Sequence, residues 1–293
     1  MPNMLNVFVN LASYLTLIIV IIGRYRPSSI GCFKKFTEKS SDSCLVLMNG
    51  PSLLSDLDKY AENNNFEDAD CIVSNHFADT DYFEQFAPKV YVFSDPYFFE
   101  EDSSKNFKMR RDKTFENIVN NVKWKMVIYI PSHRDVYKFS RYFSSNSNIS
   151  VIQFNGSGYP VKPSYILFQL WRFNICSPSP QNVLIHALYL TIQLKYKKII
   201  LAGANFSFHN SIDVDQHSNI FYREKKHMYG EERVLAYLDH KEVEMASVST
   251  ELCEMGRSFN ELSSLKIFAK INKVEICNYT NYSYLDMFQR PKL

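Results

Sequence analysis

Small polar residues recur where apolar runs of this 293-residue sequence stop, and their types and spacing suggest a binding site. These ends are Asn49-Gly50-Pro51-Ser52, Ser74-Asn75-His76, Ser94-Asp95-Pro96, Pro131-Ser132-His133, Asn155-Gly156-Ser157, Gly203-Ala204-Asn205 and Asn278-Tyr279-Thr280. One or two such ends would be ordinary turn chemistry. Seven together predict a crevice lined with hydrogen-bonding groups at the carboxyl ends of strands, where parallel sheets bind ligands.

The end at Asn49 carries one of only 8 glycines in the chain. Gly50 lets the backbone approach a ligand closely, and the amides at the start of the following helix would point toward an anion. The motif is interpreted either as a plain strand-to-helix turn or as a phosphate seat, and the other polar strand ends favour the seat. Asn75 and Asp95 suit ribose hydroxyls and base edges, with an Asx-turn or a helix cap as the alternative.

Histidine is the residue expected for general-base chemistry near neutral pH. His209, His217 and His227 lie in the polar stretch 208–229, which is long for a connection and is predicted to be a lid-like segment. The alternative is a disordered surface loop. His186 lies inside an apolar helix pattern and is predicted to belong to the core. The acidic and histidine residues of 208–229 match no metal-ligand spacing, so no metal site is predicted.

Signatures of several other protein classes are absent from the sequence. There is no GxxxxGK[ST] loop, GxGxxG fingerprint, GxSxG elbow, kinase signature or HExxH motif. The DxD letters at Asp213-Val214-Asp215 lie within the lid-like segment and not at a strand end. A net charge of +2 disfavours a duplex nucleic-acid binder. The six cysteines lack paired spacing, which predicts buried free thiols.

Strand and helix patterns alternate from residue 44 onward. Strands are predicted at 44–49, 70–75, 89–95, 125–132, 149–155, 197–203 and 273–280. Helices are predicted at 51–64, 115–122, 135–145 and 180–196, with a further long helical segment after the polar stretch 208–229. This alternation predicts an α/β fold, with a Rossmann-like, mostly parallel sheet and helices on both faces.

Residues 4–23 form a mostly apolar run about as long as a bilayer-spanning helix. Basic residues follow the run and none precedes it, which predicts a cytoplasmic location for the rest of the chain. A membrane anchor is the first interpretation, a buried or surface-lying helix the second, and a cleaved signal the third. The predicted divisions are an N-terminal apolar helix at 1–26, a polar linker at 27–43 and an α/β domain at 44–293.

Five segments resemble, in the same order, parts of the bacterial lipooligosaccharide sialyltransferases. They are CLVLMNGPSLLSDL (44–57), CIVSNHF (71–77), VYVFSDPYFF (90–99), SPSPQNVLIHALYLTIQLKYKKIILAGANFSF (177–208) and INKVEICNYTNYSYLDMF (271–288). Kdo-transferase-like proteins and 6-hydroxymethylpterin pyrophosphokinase-like domains share this frame, and the latter have a similar closing strand. The resemblance covers about residues 44–290 and implies a fold similar to the GT-A variant of nucleotide-sugar enzymes.

The resemblance also implies roles for the matching positions. Those on the donor side are Asn49, Gly50, Pro51 and Ser52 at the phosphate and ribose, Asn75 at the nucleotide, and Ser177 and Ser179 at the cytidine end. Asp95 stands where the sialyltransferases have Asn, and Asn205, after Gly203, stands where they have Asp. Ser207 replaces a Tyr that assists the departing phosphate, and His227 is the nearest match to their catalytic His.

The resemblance and the polar strand ends together predict a metal-independent glycosyltransferase whose nucleotide-sugar donor is a substrate, with no further cofactor. It would move a sialic acid-like or Kdo-like sugar from a CMP-activated donor to a cell-surface glycan or glycolipid. The other expected partners are the inner membrane surface and a second copy of the chain, at the cytoplasmic face of a bacterial inner membrane. The alternatives are a Mg²⁺-dependent pyrophosphokinase-like enzyme acting on a small heterocycle and a non-catalytic partner in glycan assembly.

Overall fold

The computed structural model describes residues 4–36, 38–63, 69–227 and 230–291. Its main sheet contains β1 (Ser43–Leu47), β2 (Ala69–Ser74), β3 (Val90–Val92), β4 (Met126–Pro131), β5 (Ile149–Phe154), β6 (Lys198–Ala202) and β10 (Glu275–Asn278). The strand order is β10-β6-β1-β2-β3-β4-β5, and every pairing is parallel. The predicted α/β class and parallel sheet are therefore confirmed.

Helices cover both faces of this sheet. The α-helices of the described residues are α1 (Met4–Arg24), α2 (Leu53–Asn63), α3 (Tyr82–Phe86), α4 (Lys105–Asn121), α5 (Val136–Ser140), α6 (Tyr165–Arg172), α7 (Val183–Gln193) and α8 (Val248–Ile271). α6, α7 and α8 pack on the face that carries Val46 and Val92. α2, α4 and α5 pack on the face that carries Leu47 and Tyr91. Strands buried on both faces produce the continuous apolar runs of the sequence.

α7 is apolar on all sides because it is buried on all sides. All of its residues from Val183 to Ile192 are buried against the sheet and α8. The helix begins at Val183 because the side chain of Asn182 accepts a hydrogen bond from Leu184 N at 2.8 Å. The helix predicted at 180–196 is thus confirmed, with its ends set by this cap and the turn after Gln193.

α1 packs on the same face as α6 and α7. Leu17 is only 1% exposed, and Tyr14 and Ile21 pack against the core beside it. A buried side of this kind is expected for the second interpretation of the N-terminal run, a buried or surface-lying helix. Among the helices of the described residues, none is both long enough and apolar enough to cross a membrane.

The segment predicted to be a linker is packed onto the domain. It forms two short 3-10 helices, Pro27–Ser29 and Cys32–Lys35, in which Ser29 and Cys32 are buried. Asn174 Nδ2 donates to Ser29 O at 2.8 Å and fastens the segment to the turn after α6. The linker prediction is corrected here, because the polar residues make turns on the core surface. All six cysteines have free thiols, five of them buried and Cys253 exposed.

The predicted lid-like segment is folded. The 3-10 helix Phe208–Ser211 leads into β7 (Ile212–Val214), β8 (Phe221–His227) and β9 (Gly230–Leu235), which form a three-stranded antiparallel sheet. The described part of 208–229 is therefore not the disordered loop of the alternative interpretation. Residues 228–229 lie outside the described residues.

β1 lies where the direction of the chain across the sheet reverses. From β1 the strands run through β2 to β5 on one side, whereas β6 and β10 lie on the other side. The connections on the two sides leave toward opposite faces of a sheet at such a reversal, so a crevice opens between the carboxyl ends of β1 and β6.

Two glycines let the ends of β1 and β6 touch. Gly50 N donates to Gly203 O at 2.9 Å. A Cβ atom on Gly50 would lie 2.3 Å from Gly203 O and 2.3 Å from Asn205 Oδ1. Gly203 has φ of +67°, and its Cβ would lie 2.1 Å from Met48 O. Packing between the two strand ends therefore requires glycine at both positions.

We expect Gly203→Ala to lower the free energy of unfolding by about 2–3 kcal/mol, because the methyl group meets a carbonyl in a left-handed backbone. Urea denaturation followed by circular dichroism measures the change. The matched control is Gly256→Ala in α8, where a Cβ meets nothing within 4 Å. That control should be neutral or stabilising by up to about 1 kcal/mol. Equal effects of the two substitutions would contradict the packing argument.

Candidate active site

A cleft of about 580 Å³ opens at the carboxyl ends of β1, β2, β3 and β6. The residues that follow these strands form its base, and the start of α7 forms one side. The small antiparallel sheet and the segments beside it contribute Phe208, Asn210, Ser211, Arg223 and Glu224. The cleft thus occupies the point where strand order reverses, and its volume suits a small-molecule ligand.

The structure brings eight of the predicted site residues together in this cleft. They are Asn49, Gly50, Pro51, Asn75, Asp95, Gly203, Asn205 and Ser207. Ser52 lies next to them and is bonded to Asn205. Of the lid histidines, His209 packs edge-on against Tyr284 and His217 is exposed. The backbone of His227 ends β8, and its side chain lies outside the described part of the structure.

The backbone amides and the hydroxyl predicted to bind a phosphate already form hydrogen bonds within the protein. Gly50 N donates to Gly203 O, and Ser52 N donates to Asn205 Oδ1 at 3.3 Å. Pro51 has no N–H to offer. The prediction of an amide and hydroxyl phosphate seat at Gly50, Pro51 and Ser52 is therefore corrected. These N–H groups instead form hydrogen bonds within the protein, where the ends of β1 and β6 meet and backbone polar groups need hydrogen-bond partners.

Next to this loop, the buried carboxylate of Asp56 joins three segments of the chain. Its Oδ2 accepts hydrogen bonds from Ser52 Oγ and Gly203 N, both at 2.8 Å. Its Oδ1 accepts one from Asn281 N at 2.7 Å, in the loop after β10. Burial raises the pKa of Asp56, and the hydrogen bonds from Asn281, Gly203 and Ser52 oppose that rise. Asp56 carries no sequence signal, because it occupies an ordinary helical position one turn after Ser52.

Two amide oxygens of the cleft, Asn49 Oδ1 and Asn75 Oδ1, are buried and have no hydrogen-bond partner. The Nδ2 groups of the same side chains are engaged, with Ser74 O at 3.3 Å and Asp95 Oδ2 at 2.8 Å respectively. Those bonds assign which end of each amide carries the oxygen. Buried polar atoms are normally paired, so the two oxygens can accept hydrogen bonds from a ligand.

The Asn75–Asp95 contact joins the ends of β2 and β3. Asn75 adopts φ of 53°, a conformation that asparagine tolerates better than most residues, and its side chain thereby reaches Asp95. Burial raises the pKa of Asp95, whereas His76, the Asn75 hydrogen bond and His240 lower it. The hydrogen bond between the two side chains accounts for their positions without the alternative roles predicted for them, a helix cap or an Asx-turn.

Positively charged or polarised groups line another part of the cleft. Arg110 and Arg223 both line it. Arg223 is paired with Glu251, with Nη2 and Nε at 2.5 Å and 3.0 Å from Oε2. Asn182, Val183 and Leu184 at the start of α7 also line the cleft, and a helix start carries a partial positive charge. Glu251 neutralises the charge of Arg223, so Arg110 and the start of α7 are the groups that favour an anionic moiety on the ligand.

Tyr97 and His76 form a hydrogen-bonded pair in the cleft, with Tyr97 Oη 2.8 Å from His76 Nε2. On the other side of the ring, His76 Nδ1 lies 2.7 Å from Thr114 Oγ1 and 3.6 Å from Asp79 Oδ2. Thr114 Oγ1 donates to Asp79 Oδ2 at 3.0 Å, and Asn117 Nδ2 donates to Asp79 Oδ1 at 2.9 Å. We call Tyr97, His76, Thr114 and Asp79 the tyrosine–histidine relay.

The protons of this relay are directed toward Asp79. Burial would raise the pKa of Asp79, but the nearby His76 ring and the hydrogen bonds from Thr114 and Asn117 outweigh it and hold the pKa below its usual range. The ionised carboxylate accepts from Thr114, so His76 Nδ1–H donates to Thr114 and Nε2 accepts from Tyr97. Tyr97 can therefore pass its proton to His76 while its oxygen takes another from the cleft.

Ser177 and Ser179 are buried and are not among the residues that line the cleft. Ser177 Oγ lies 3.2 Å from His186 Nε2, and burial lowers the pKa of His186 to about 3. His186 is therefore a neutral core residue, as predicted. Ser179 N donates to Glu261 Oε2 at 3.0 Å. Burial raises the pKa of Glu261 to about 7, although this hydrogen bond lowers it. The contacts of both serines are internal, and none supports the donor-binding role implied by the resemblance.

A further polar cluster fastens the segment after β9 to the segment after β3. Glu100 lies 2.8 Å from Arg134 and 2.7 Å from His240, and Asp102 lies 2.6 Å from Lys241. In the described ranges, Glu100, Asp102 and His240 are close enough together to surround a cation. Each carboxylate already has a cationic side chain as partner, so we interpret the cluster as an ion-paired link between the two segments.

Several residues of the cleft carried no functional prediction from the sequence. Tyr97 lies two residues after Asp95 at the same strand end, and this proximity is the signal that could have found it. His76 follows a predicted strand, where a histidine is equally expected to contact the ligand or to position a residue that does. Arg223 lies in β8, whose pairing with the rest of the small sheet could not be read from local patterns.

Comparison with solved structures finds partial similarity of this chain to two glycosyltransferases. No family model matches the chain, and no curated protein sequence matches it. The MAf glycosyltransferase from Magnetospirillum magneticum AMB-1 is 10% identical, with a TM-score of 0.48 over 87% of this chain and 34% of that one. The sialyltransferase CstII from Campylobacter jejuni, in complex with the substrate analogue CMP-3FNeuAc, is 15% identical, with a TM-score of 0.42 over 85% of each chain. The chain thus spans about a third of the length of the MAf enzyme, and at these identities neither protein assigns a role to its residues.

We expect Asp56→Ala to lower the free energy of unfolding by about 3 kcal/mol, because Gly203 N and Asn281 N lose their buried acceptor. Chemical denaturation measures the loss. Asp58→Ala, at an exposed position of the same helix, is the matched control and should change stability by no more than about 0.5 kcal/mol. An Asp56→Ala protein as stable as this control would show that the junction does not depend on the carboxylate.

Proposed function

We propose that this chain is a glycosyltransferase that moves a sugar from a nucleotide-activated donor, bound in the cleft, to a hydroxyl group of an acceptor. The buried, unpaired oxygens of Asn49 and Asn75 are the main support. Leaving such an acceptor unpaired costs about 1–3 kcal/mol, which a ligand with hydroxyl or amino donors removes. Ribose hydroxyls and the exocyclic amino group of a base provide both kinds of donor in one molecule.

The apolar lining next to these oxygens suits the rest of a nucleoside. Tyr97, Phe107 and Phe206 line the same cleft and offer aromatic surface to a base or a sugar ring. The position at the reversal of strand order is where parallel α/β sheets bind nucleotides. The aromatic lining of the cleft, its polar groups and its position in the sheet therefore all favour a nucleotide-containing ligand.

The phosphate of the donor is assigned to the start of α7 and the arginine side of the cleft. The partial positive charge at Val183 and the guanidinium group of Arg110 favour an anion there. Ser207 also lines the cleft, and we assign its hydroxyl to the departing phosphate. This assignment replaces the Gly50–Ser52 loop, whose donors are used within the protein.

The tyrosine–histidine relay supplies the base in this proposal. The acceptor hydroxyl gives its proton to Tyr97 Oη as Tyr97 passes its own proton to His76 Nε2. The acceptor oxygen forms a bond to the anomeric carbon with its electron pair. The bond from that carbon to the phosphate oxygen breaks, and the nucleotide leaves with the electrons. The resulting imidazolium is stabilised by Asp79, whose Oδ2 lies 3.6 Å from His76 Nδ1.

The finer points of the proposal rest on the sequence motifs. The donor is a CMP-activated, sialic acid-like or Kdo-like sugar, the acceptor is a cell-surface glycan or glycolipid, and the reaction needs no metal ion. His227 remains the base predicted from the sequence, and Tyr97 is the base that the described geometry favours. One set of variants separates the two.

We expect a thermal-shift series in the presence of EDTA to show stabilisation by a cytidine nucleotide and smaller shifts with UDP, GDP and ATP. Asn49→Ala and Asn75→Ala should each weaken nucleotide binding by about tenfold, because each removes an acceptor of a ligand hydrogen bond. The matched control, Asn260→Ala on the exposed side of α8, should bind as the parent does. A shift with ATP that appears only when the series is repeated with Mg²⁺ in place of EDTA would favour the pyrophosphokinase alternative, and no shift with any nucleotide would overturn the proposal.

We expect Tyr97→Phe to lower kcat by about 10²–10⁴-fold while the nucleotide-induced thermal shift persists. His227→Ala should leave kcat within about twofold if the relay is the base. Asp79→Asn should also lower kcat, because the imidazolium that forms during the proton transfer loses its carboxylate partner. The reverse pattern, an active Tyr97→Phe protein and an inactive His227→Ala protein, would assign the base to His227.

A further inference from the structure

We propose that α1 and the adjacent part of α6 form a docking surface for an anionic lipid bilayer, with α1 lying in the plane of the membrane. Neither the surface nor its test depends on the proposed enzymatic function. Four features support it: the outward side of α1, the exposed side chains of α6, the charge around them and their place on the domain.

The outward side of α1 is entirely apolar over its central part. Leu17 faces the core and is 1% exposed. The large side chains on the opposite side are Leu11, Leu15, Ile18, Ile19 and Ile22, which are between 50% and 77% exposed. Positions 11, 15, 18 and 22 are spaced as one stripe of an α-helix. A helix that faced only water would carry polar residues along that stripe.

α6 extends this apolar surface. Tyr14 Oη of α1 lies 2.5 Å from Ser164 Oγ, the cap residue of α6, so the two helices are neighbours. Tyr165 and Ile166 in the first turn of α6 are 77% and 65% exposed, and Phe173 at its end is 62% exposed. Exposed aromatic side chains beside an apolar helix are typical of the interface between lipid headgroups and acyl chains.

The charge near this surface favours an anionic partner. The first 37 residues contain no Asp and no Glu. The exposed basic residues there are Arg24, Arg26, Lys34 and Lys35, at the carboxyl end of α1 and directly after it. Basic residues next to an apolar helix strengthen its binding to anionic lipid. A second copy of the chain at this surface would instead bring a second set of the same charges.

The basic end of α1 lies at the same end of the sheet as the cleft. Arg26 N donates to Asn155 Oδ1 at 2.9 Å, and Ser132 Oγ donates to Arg24 O at 3.3 Å. Ser132 and Asn155 directly follow β4 and β5, whose carboxyl ends share the sheet end that carries the cleft. Docking through α1 would therefore bring that end of the sheet close to the bilayer. The use of this geometry for a lipid-linked acceptor rests on the proposed function, whereas the docking does not.

Flotation of the full-length chain with vesicles tests the surface. Vesicles of phosphatidylcholine mixed with phosphatidylglycerol should carry the protein upward, and vesicles of phosphatidylcholine alone should carry much less. Ile19→Glu combined with Ile22→Glu should weaken partitioning by at least about tenfold, because two apolar contacts become charged. Val243→Glu is the matched control: it changes an exposed aliphatic residue, 81% exposed, outside α1 and α6. Both proteins should keep the parent's thermal midpoint, since the altered positions are exposed.

Three results would overturn the proposal. The first is a parent chain that floats with neither vesicle, and the second is a double variant that floats as well as Val243→Glu. The third is a dimer in sedimentation equilibrium that the double variant abolishes, without vesicle binding, which would assign the surface to a second copy. Activity is not measured in any of these experiments, so failure of the docking proposal is distinct from failure of the proposed function.

Spin labels measure the orientation of α1. Leu15→Cys and Ile22→Cys are labelled separately in a Cys253→Ser background, because Cys253 is the exposed thiol of the chain. A helix lying in the membrane plane should place both labels at the same shallow depth. A helix that crosses the bilayer should place them roughly 10 Å apart in depth, at 1.5 Å of rise per residue. Unequal depths would reject the in-plane orientation.

Discussion

The hydrogen bonds of the buried Asp56 carboxylate are the constraint on which the cleft depends. One side chain joins the start of α2, the end of β6 and the loop after β10, through Ser52, Gly203 and Asn281. These segments are far apart in the chain, and their buried N–H groups need an acceptor away from water. Because Asp56 provides it, Gly203 N and Asn281 N are paired where the ends of β1 and β6 meet at the Gly50–Gly203 contact.

This arrangement divides the cleft into two parts with different properties. Around β1 and β6, the donors of Gly50 and Ser52 are used to hold the backbone together. Other polar groups remain available: the oxygens of Asn49, after β1, and Asn75, after β2, have no partner, and Tyr97 ends a relay that leads through His76 to Asp79. Rigid strand ends thus support the groups to which we assign chemistry, and the start of α7 adds a positive electrostatic environment.

Much of the fold could be predicted from local patterns because burial leaves a direct mark on the sequence. Strands covered on both faces, such as β1, are continuous apolar runs, and the fully buried α7 is apolar on every side. The small sheet of β7, β8 and β9 left no such mark, since its strands are short or rich in charged residues. The 27–43 segment was misjudged for a related reason. Its polar composition suits a tether, yet Ser29 and Cys32 are buried by contacts with the turn after α6.

Local sequence patterns determined the strands of the main sheet, that small polar residues end them and that glycine stands at position 50. They also predicted that Asn49, Asn75, Asp95 and Asn205 share one cleft, because parallel strands place their carboxyl ends together. The hydrogen-bond partner of each side chain, in contrast, depends on the tertiary structure. It joined Ser52 to Asp56, left Ser177 in the interior and brought Tyr97 to His76. The physical reason is the sequence separation involved. The periodicity of apolar residues indicates burial over a few neighbouring positions, whereas a hydrogen bond requires two atoms, often from distant segments, to lie within about 3 Å of each other.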